Sequence, residues 1–251
     1  MKIKNILVSQ PKPTDLLKSP YTKLSEKYKL NVDYFKFIKV VGVPSKEFRK
    51  ARTNLKEYTS VIFTSRQAVD HFFRIAKELR VEISEELKYF CMSESTAYYL
   101  QNYVQYRKRK IFHGERTFMD LMTIIKKFPD ESYLFPCSEI HKQDLPNALS
   151  KEGISFQKAI IYKTVACDLT SIKLDDYEML VFFSPSGIKS LLENFPNYEQ
   201  GKQVIATFGK TTQQAAKELG LKANIIAPAP KHPSMSMAIE AYVKESNKRK
   251  R

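Results

Sequence analysis

At 251 residues, with 43% hydrophobic and 27% charged side chains, the chain has globular rather than disordered composition and a length that suits two domains of about 120 residues each. The apolar run Ile6–Val8 is too short for a secretory leader and no stretch reaches the ~18 apolar residues of a membrane span, so a soluble cytoplasmic protein is expected. A net charge of +15 implies an anionic substrate or partner, or simply a basic surface.

Along the chain, short β-branched and aromatic runs alternate with amphipathic segments, the pattern of parallel α/β sheets. Ile3–Val8 reads as a strand, Lys18–Tyr28 as a helix and Val32–Phe37 as a second strand, with the strand-like YFKFIKVV (Tyr34–Val41) running on from it. Strand Ser60–Phe63 precedes helix Arg66–Leu79, and strand Tyr89–Cys91 precedes helix Ser95–Tyr103. The basic run Arg107–Lys110 reads as solvated, because no stacking aromatics are interleaved with it, and nucleic acid is not an expected partner. Helix Thr117–Lys127, strand Tyr133–Phe135, helix Gln143–Lys151 and the strand-like AIIYKTVAC (Ala159–Cys167) follow. Strand Met179–Phe183, helix Gly187–Asn194, strand Gln203–Phe208, helix Thr212–Leu219, strand Asn224–Ala227 and helix Ser236–Glu245 lead to a basic tail, Lys248–Arg251, which reads as solvated and frayed.

Two halves of this pattern repeat. VIFTSRQAVDHFF from Val61 matches VFFSPSGIKSLLENF from Val181, and YFCMSESTAYYLQ from Tyr89 matches IATFGKTTQQAAKEL from Ile205. HGERTFMDLMTII from His113 then matches KHPSMSMAIEAYV from Lys231. The offsets Thr64 to Ser184, Thr96 to Thr212 and Thr117 to Ser234 are 120, 116 and 117 residues, so two domains of one architecture are expected. The second would be inserted in the first: residues 1–36 with 168–251 form a discontinuous α/β domain, 42–158 the inserted one, and 37–41 and 159–167 two linker strands.

Strand-to-helix junctions carry hydroxyls: Thr64 and Ser65, Ser93, Ser95 and Thr96, Ser138, Ser184 and Ser186, Thr211 and Thr212, Ser234 and Ser236. Each hydroxyl suits a helix cap. Together, at the carboxyl ends of parallel strands, helix starts with free amides also suit carboxylates or phosphates. In SPSG, Pro185 stiffens the turn, Ser184 and Ser186 offer hydrogen bonds and Gly187 admits a ligand to the backbone.

Sharper motifs are absent. GKTT at Gly209 lacks the first glycine of a P-loop, which would fall on Val204, and no G-x-G-x-x-G occurs, so neither a nucleotidase nor a dinucleotide cofactor is expected. His71, His113, His141 and His232 lie in separate segments without metal spacing, and Cys91, Cys137 and Cys167 suit thiols in a reducing compartment. What remains is a site for anions without metal or cofactor, in which a substrate is held in a reactive shape and one proton donor assists.

The ordered set IFTSRQAV, LFPCSE, IYKTVA, FFSPSGI, ATFGKTT and APAPKHPSMSMAIEA resembles the uroporphyrinogen-III synthase family over essentially the whole chain. The resemblance implies two similar parallel-sheet α/β lobes joined by a two-stranded β linker, with the active site in the cleft between them, in a cofactor-free monomer. It implies a cyclising lyase that turns hydroxymethylbilane into uroporphyrinogen III. Water leaves to give an azafulvene, ring D reacts at its substituted α carbon to form a spiro intermediate, and closure leaves ring D inverted. The substrate is an octacarboxylate of charge about −8 at neutral pH, given carboxyl pKa values of about 4, which suits a basic protein. By resemblance Tyr162 is the acid that assists hydroxyl departure, and Thr212, with Thr211 beside it, binds substrate. Lys142 stands near an arginine of the family. Ser93 and Ser138 replace family glycines, and Ser9-Gln10-Pro11 lacks the arginine that often follows the first strand.

Overall fold

The structure is a computed structural model that describes residues 2–115 and 117–248. The last three residues of the basic tail therefore lie outside the described residues. No helix of the described residues is long and apolar enough to cross a membrane.

The chain divides into two compact units, Met1–Lys39 with Val165–Arg251, and Val40–Thr164. In the first, β1 (Asn5–Val8), α1 (Thr22–Tyr28) and β2 (Asn31–Tyr34) are followed, after the second unit, by β9 (Met179–Phe182), α7 (Pro185–Asn194), β10 (Val204–Phe208), α8 (Lys210–Glu218), β11 (Ala223–Ala227) and α9 (Met235–Lys248). All neighbouring strands pair in parallel, in the order β11-β10-β9-β1-β2. The second unit holds β3 (Ile38–Gly42), α2 (Ser45–Lys50), β4 (Ser60–Phe63), α3 (Arg66–Leu79), β5 (Lys88–Cys91), α4 (Glu94–Leu100), β6 (Ile111–His113), α5 (Phe118–Ile125), β7 (Tyr133–Ser138), α6 (Asp144–Lys151) and β8 (Phe156–Ala166). Its sheet order is β3-β8-β7-β4-β5-β6, and the chain passes from one unit to the other within β3 and β8.

The inner strands are buried on both faces, which is why MLVF and SVIF read as continuous apolar runs and not as alternating ones. In the first unit Ile6, Val8, Val181 and Ala206 pack toward Leu24 and Ile239 of α1 and α9. Leu7, Leu180, Phe182 and Ile205 pack on the opposite face toward Ile188 and Ala216 of α7 and α8. In the second, Val61, Phe63 and Tyr89 meet Val69, Phe72 and Ala97 of α3 and α4, while Ile62, Phe90 and Phe135 meet Leu121 and Leu145 of α5 and α6.

The repeat acquires a physical form in the two strand orders. If β4, β5 and β6 are laid on β9, β10 and β11, as the three sequence matches demand, then β7 and β8 fall on β1 and β2, so five strands share one order and β3 is an additional edge strand of the second unit. One unit is thus a circular permutation of the other.

Several bounds differ from those expected. β2 ends at Tyr34 because the next residues leave the sheet: Phe37 is buried edge-on against Phe182 at 5.7 Å, and its carbonyl accepts from Cys167 N–H and Ser190 Oγ. The strand expected to run to Phe37 therefore stops, and β3 starts afresh at Ile38. α7 and α8 begin two residues earlier than expected, with Pro185 in the first turn, where its missing N–H costs nothing. α2 and β6 were not expected.

Burial raises the phenol pKa values of Tyr21, Tyr89 and Tyr133 well above the ordinary range. Since these folded values exceed the unfolded value of about 10, the stability they contribute is complete below pH 10 and is lost as pH rises through the folded values. Absorbance at 295 nm and far-UV circular dichroism, followed together upward from pH 9, should therefore show these phenols ionising only as the chain unfolds. Full ionisation near pH 10 with an unchanged dichroism spectrum would contradict this.

Candidate active site

In open parallel sheets ligands bind at the carboxyl ends of strands, where the strand order reverses. That point lies between β1 and β9 in the first unit and between β4 and β7 in the second. A groove of about 1060 Å³ in the first unit lies at the other edge, where Tyr177, Glu178 and Gln203 precede β9 and β10. It is therefore not the place to look for the chemistry.

In the second unit, Thr64 and Ser65 follow β4, and Ser65 Oγ caps α3 by accepting from Ala68 N–H at 3.2 Å. The same oxygen lies 3.4 Å from the hydroxyl of Tyr162 on β8. Either oxygen can donate in this pair; when Ser65 Oγ, already accepting from Ala68, gives its proton to the phenol oxygen, the phenol proton is left for a ligand. Tyr162 is only 8% exposed. Burial raises its pKa, the Ser65 hydrogen bond acts in the other direction, and Cys137 adds to the rise. The net effect is upward, so Tyr162 keeps its proton at neutral pH and can act only as a donor.

Ser138 is the register partner of Tyr162, just past an irregularity in the β7–β8 pairing, and Glu139 N–H donates to the Tyr162 carbonyl at 3.3 Å. It is buried and ends β7. α6 starts six residues later behind Gln143, without a side-chain cap, so the expectation of Ser138 at a helix start is corrected. Lys142 stays exposed in the intervening loop. Ser93 precedes α4 but does not cap it: its hydroxyl bonds to those of Ser95 and Thr96 at 3.1 and 3.2 Å, and Thr96 is buried. These three hydroxyls form a closed local set rather than an open rim.

In the first unit, Ser184 Oγ accepts from Gly187 N–H at 3.2 Å, so the Gly187 amide is taken by the cap and is not free for a ligand. A Cβ on Gly187 would sit 3.6 Å from both Ser184 Oγ and Ser9 Oγ, in ordinary contact. The glycine is thus a place where hydroxyls converge rather than a backbone requirement. Ser186 is half-buried in the same turn.

α8 differs from these helices. Its cap position is Gly209, at φ +88°, which carries no side chain to satisfy the first amides. Thr212 is 1% exposed and buries its side chain, whereas Lys210 and Thr211 are exposed. Lys210 and Thr211 line a groove of about 480 Å³ with Pro185, Lys189, Gln214 and Glu218. An uncapped helix start with a lysine in its first turn and a second lysine on α7 suits a carboxylate.

The structure thus brings together Ser65, Tyr162 and Ser138 in one unit, and Ser184, Ser186 and Gly187 in the other, with Ser9 added to the latter. Ser9 carried no signal of its own as a binding residue; it follows β1 and meets the α7 turn only through β1–β9 pairing. His71 also lacked one; its ring stacks on Tyr162 at 5.3 Å. Of the basic run, Arg107 pairs with Glu85 and Lys110 with Glu86, which removes part of the field a nucleic acid would need. No metal-holding group of three His, Cys, Asp or Glu side chains occurs among the described residues.

Comparison with known proteins adds a family to this geometry. The family model described as uroporphyrinogen-III synthase HemD matches residues 19–236. The uroporphyrinogen-III synthase of Schizosaccharomyces pombe is 25% identical over 265 residues, 98% of this chain and 100% of that protein. The enzyme of the same name from Saccharomyces cerevisiae is 28% identical over 140 residues, 49% of this chain and 50% of that protein. Among solved structures, uroporphyrinogen-III synthetase from Helicobacter pylori covers 97% of this chain and 100% of its own at 19% identity and a TM-score of 0.57. A mutant uroporphyrinogen III synthase from Thermus thermophilus covers 98% and 99% at 14% identity and 0.52. At these identities the solved structures speak for the fold.

Proposed function

The chain belongs to the uroporphyrinogen-III synthase family, whose members are cyclising lyases of haem synthesis, and from that premise we propose that it closes hydroxymethylbilane to uroporphyrinogen III with ring D inverted. The observation that carries this reading is Tyr162, a proton-bearing phenol at the carboxyl edge of its sheet with its oxygen beside Ser65.

Tyr162 gives its proton to the terminal hydroxyl as the C–O bond breaks, water leaves, and the pyrrole nitrogen lone pair forms the azafulvene. The phenolate recovers a proton when the free α carbon of ring D, having formed the closing bond, loses its hydrogen and that pyrrole ring becomes aromatic again, so the net change is the loss of one water. Ser65 orients the phenol. Within the first unit the groups suited to the substrate's carboxylates are the α8 start with Thr211 and Lys210, and Ser184 and Ser186 around Gly187; within the second they are Thr64, Ser138 and Lys142. Ser93, Ser95 and Thr96 shape their rim through one another. Thr212, in the first turn of α8 with Lys210 and Thr211, is buried beneath them. The protein works as a single chain in the reducing cytoplasm. There, burial keeps the thiols of Cys91, raised to about 12, and Cys137, raised to about 11, unreactive.

The test is a coupled assay in which a deaminase supplied with porphobilinogen feeds hydroxymethylbilane to this protein and the oxidised porphyrin isomers are resolved. Isomer III in excess is expected. Isomer I alone, the product of spontaneous closure, would instead mark a scaffold that binds tetrapyrroles without turning them over.

A further inference from the structure

The stack under Tyr162 is not a simple packing contact. His71, on the buried side of α3, lies 5.3 Å from the Tyr162 ring with 19° between the planes. Its Nδ1 accepts a hydrogen bond from Arg74 Nε at 3.1 Å. A guanidinium can only donate, so Nδ1 must be unprotonated, and the ring is a neutral imidazole with its proton on Nε2.

Arg74 itself is held by a purpose-shaped seat. Its Nη2 donates to the carbonyls of Val43 and Ile161 at 2.9 and 3.1 Å, and its Nη1 pairs with Glu78. A Cβ on Gly42 would stand 2.5 Å from Arg74 Cζ, so only glycine leaves room for the guanidinium there. The guanidinium is thereby tied to backbone just after β3 and to β8 one residue before Tyr162. Through that anchor the imidazole plane is fixed with respect to the strand that carries the phenol.

We propose that His71 is a positioning residue: anchored by Arg74, its neutral ring fixes the plane of Tyr162 so that the phenol oxygen stays on Ser65 and its proton faces the substrate. This rests on the reading of Tyr162 as the acid. The charged and titratable groups against the imidazole are Asp70 and Arg74 from α3 and Tyr162 from β8. Burial first and Arg74 second push the His71 pKa down, and Asp70 acts only partly against them. The imidazole therefore stays uncharged at neutral pH and leaves the phenol its proton.

Steady-state kinetics in the isomer-resolved assay and histidine NMR on the intact protein test this together. In His71→Ala, kcat should fall about tenfold with KM within about twofold, the mark of a misaligned donor rather than lost binding. His71→Phe restores a stacked ring without the anchor and should recover about a third of the wild-type kcat. His71→Gln, which can still accept from Arg74 but has no ring, should resemble His71→Ala. The nitrogen shifts of the wild-type ring should report the Nε2–H tautomer, with protonation setting in only below the ordinary 6.5. Wild-type kcat in His71→Ala, alongside a Tyr162→Phe variant that has lost turnover, would overturn the positioning role and leave the acid assignment standing. An Nδ1–H tautomer, or titration near 6.5, would overturn the anchor. Undiminished turnover in Tyr162→Phe would remove the acid assignment and this inference with it.

Discussion

Replacing Tyr162 with phenylalanine should lower turnover by about 10- to 100-fold while leaving the fold intact, at or below the lower limit of the roughly 100- to 10,000-fold that general acids contribute. The ring remains, so its place in the core beside Ala68 and Phe72 and its stack on His71 remain. What is lost is the phenol oxygen, whose one hydrogen-bond partner among the described residues is Ser65 at 3.4 Å, a long bond. Stability should change by less than about 1 kcal/mol on that account. The loss is expected at the low end because the pyrrole nitrogen supplies much of the push that expels the hydroxyl, so the acid completes a departure rather than forcing it. Spontaneous closure competes, so the defect should also appear as a rising share of isomer I at fixed enzyme. The pH profile carries an independent check. With its pKa raised by burial, Tyr162 stays protonated throughout the neutral range, and the alkaline loss of kcat that belongs to it lies above the ordinary value of about 10. A limb near pH 8 would belong to another group. Unchanged turnover in the variant would remove Tyr162 from the reaction.

The parts of this site that were legible in the sequence are those fixed by local chemistry. Ser60–Phe63 and Arg66–Leu79 have the expected bounds because an apolar run, a serine cap and a long amphipathic segment state both ends of the junction locally. The duplication was legible because a permuted copy keeps its order over β4–β6 and β9–β11. The share of each hydroxyl was not. Ser65 and Ser184 spend an acceptor on their own helices, Thr96 turns inward to Ser93, and only at α8 does a glycine leave the turn uncapped. Composition cannot separate these cases, since serine and threonine serve both ends. Ser138 was misplaced because β7 runs to it and α6 waits until Asp144. β6 was missed because three residues behind a basic run carry too little alternation to register. His71 stayed silent for a different reason: its partner is 91 residues away, and only strand order brings the two together.

Reversing the charge at the α8 start separates binding from stability, because there the two respond with opposite sign. Lys210 opens α8 behind an uncapped Gly209, exposed and in the groove that Lys189 and Thr211 also line. In Lys210→Glu the new carboxylate sits in the first turn, where the helix dipole favours it by about 0.3–1 kcal/mol, so the melting temperature should hold or rise slightly. Toward a carboxylate of the substrate the same change is repulsive. At about 6 Å in water each unit of charge is worth about 0.7 kcal/mol, so reversal costs about 1.4 kcal/mol, or about tenfold in KM. kcat should stay near wild type, since the reacting carbon is not at this helix in the reading above, and the KM defect should shrink as salt is raised. Lys210→Gln should fall midway. A raised melting temperature with an unchanged KM would show that α8 is merely an open helix start and that the substrate's carboxylates are gripped elsewhere on the rim.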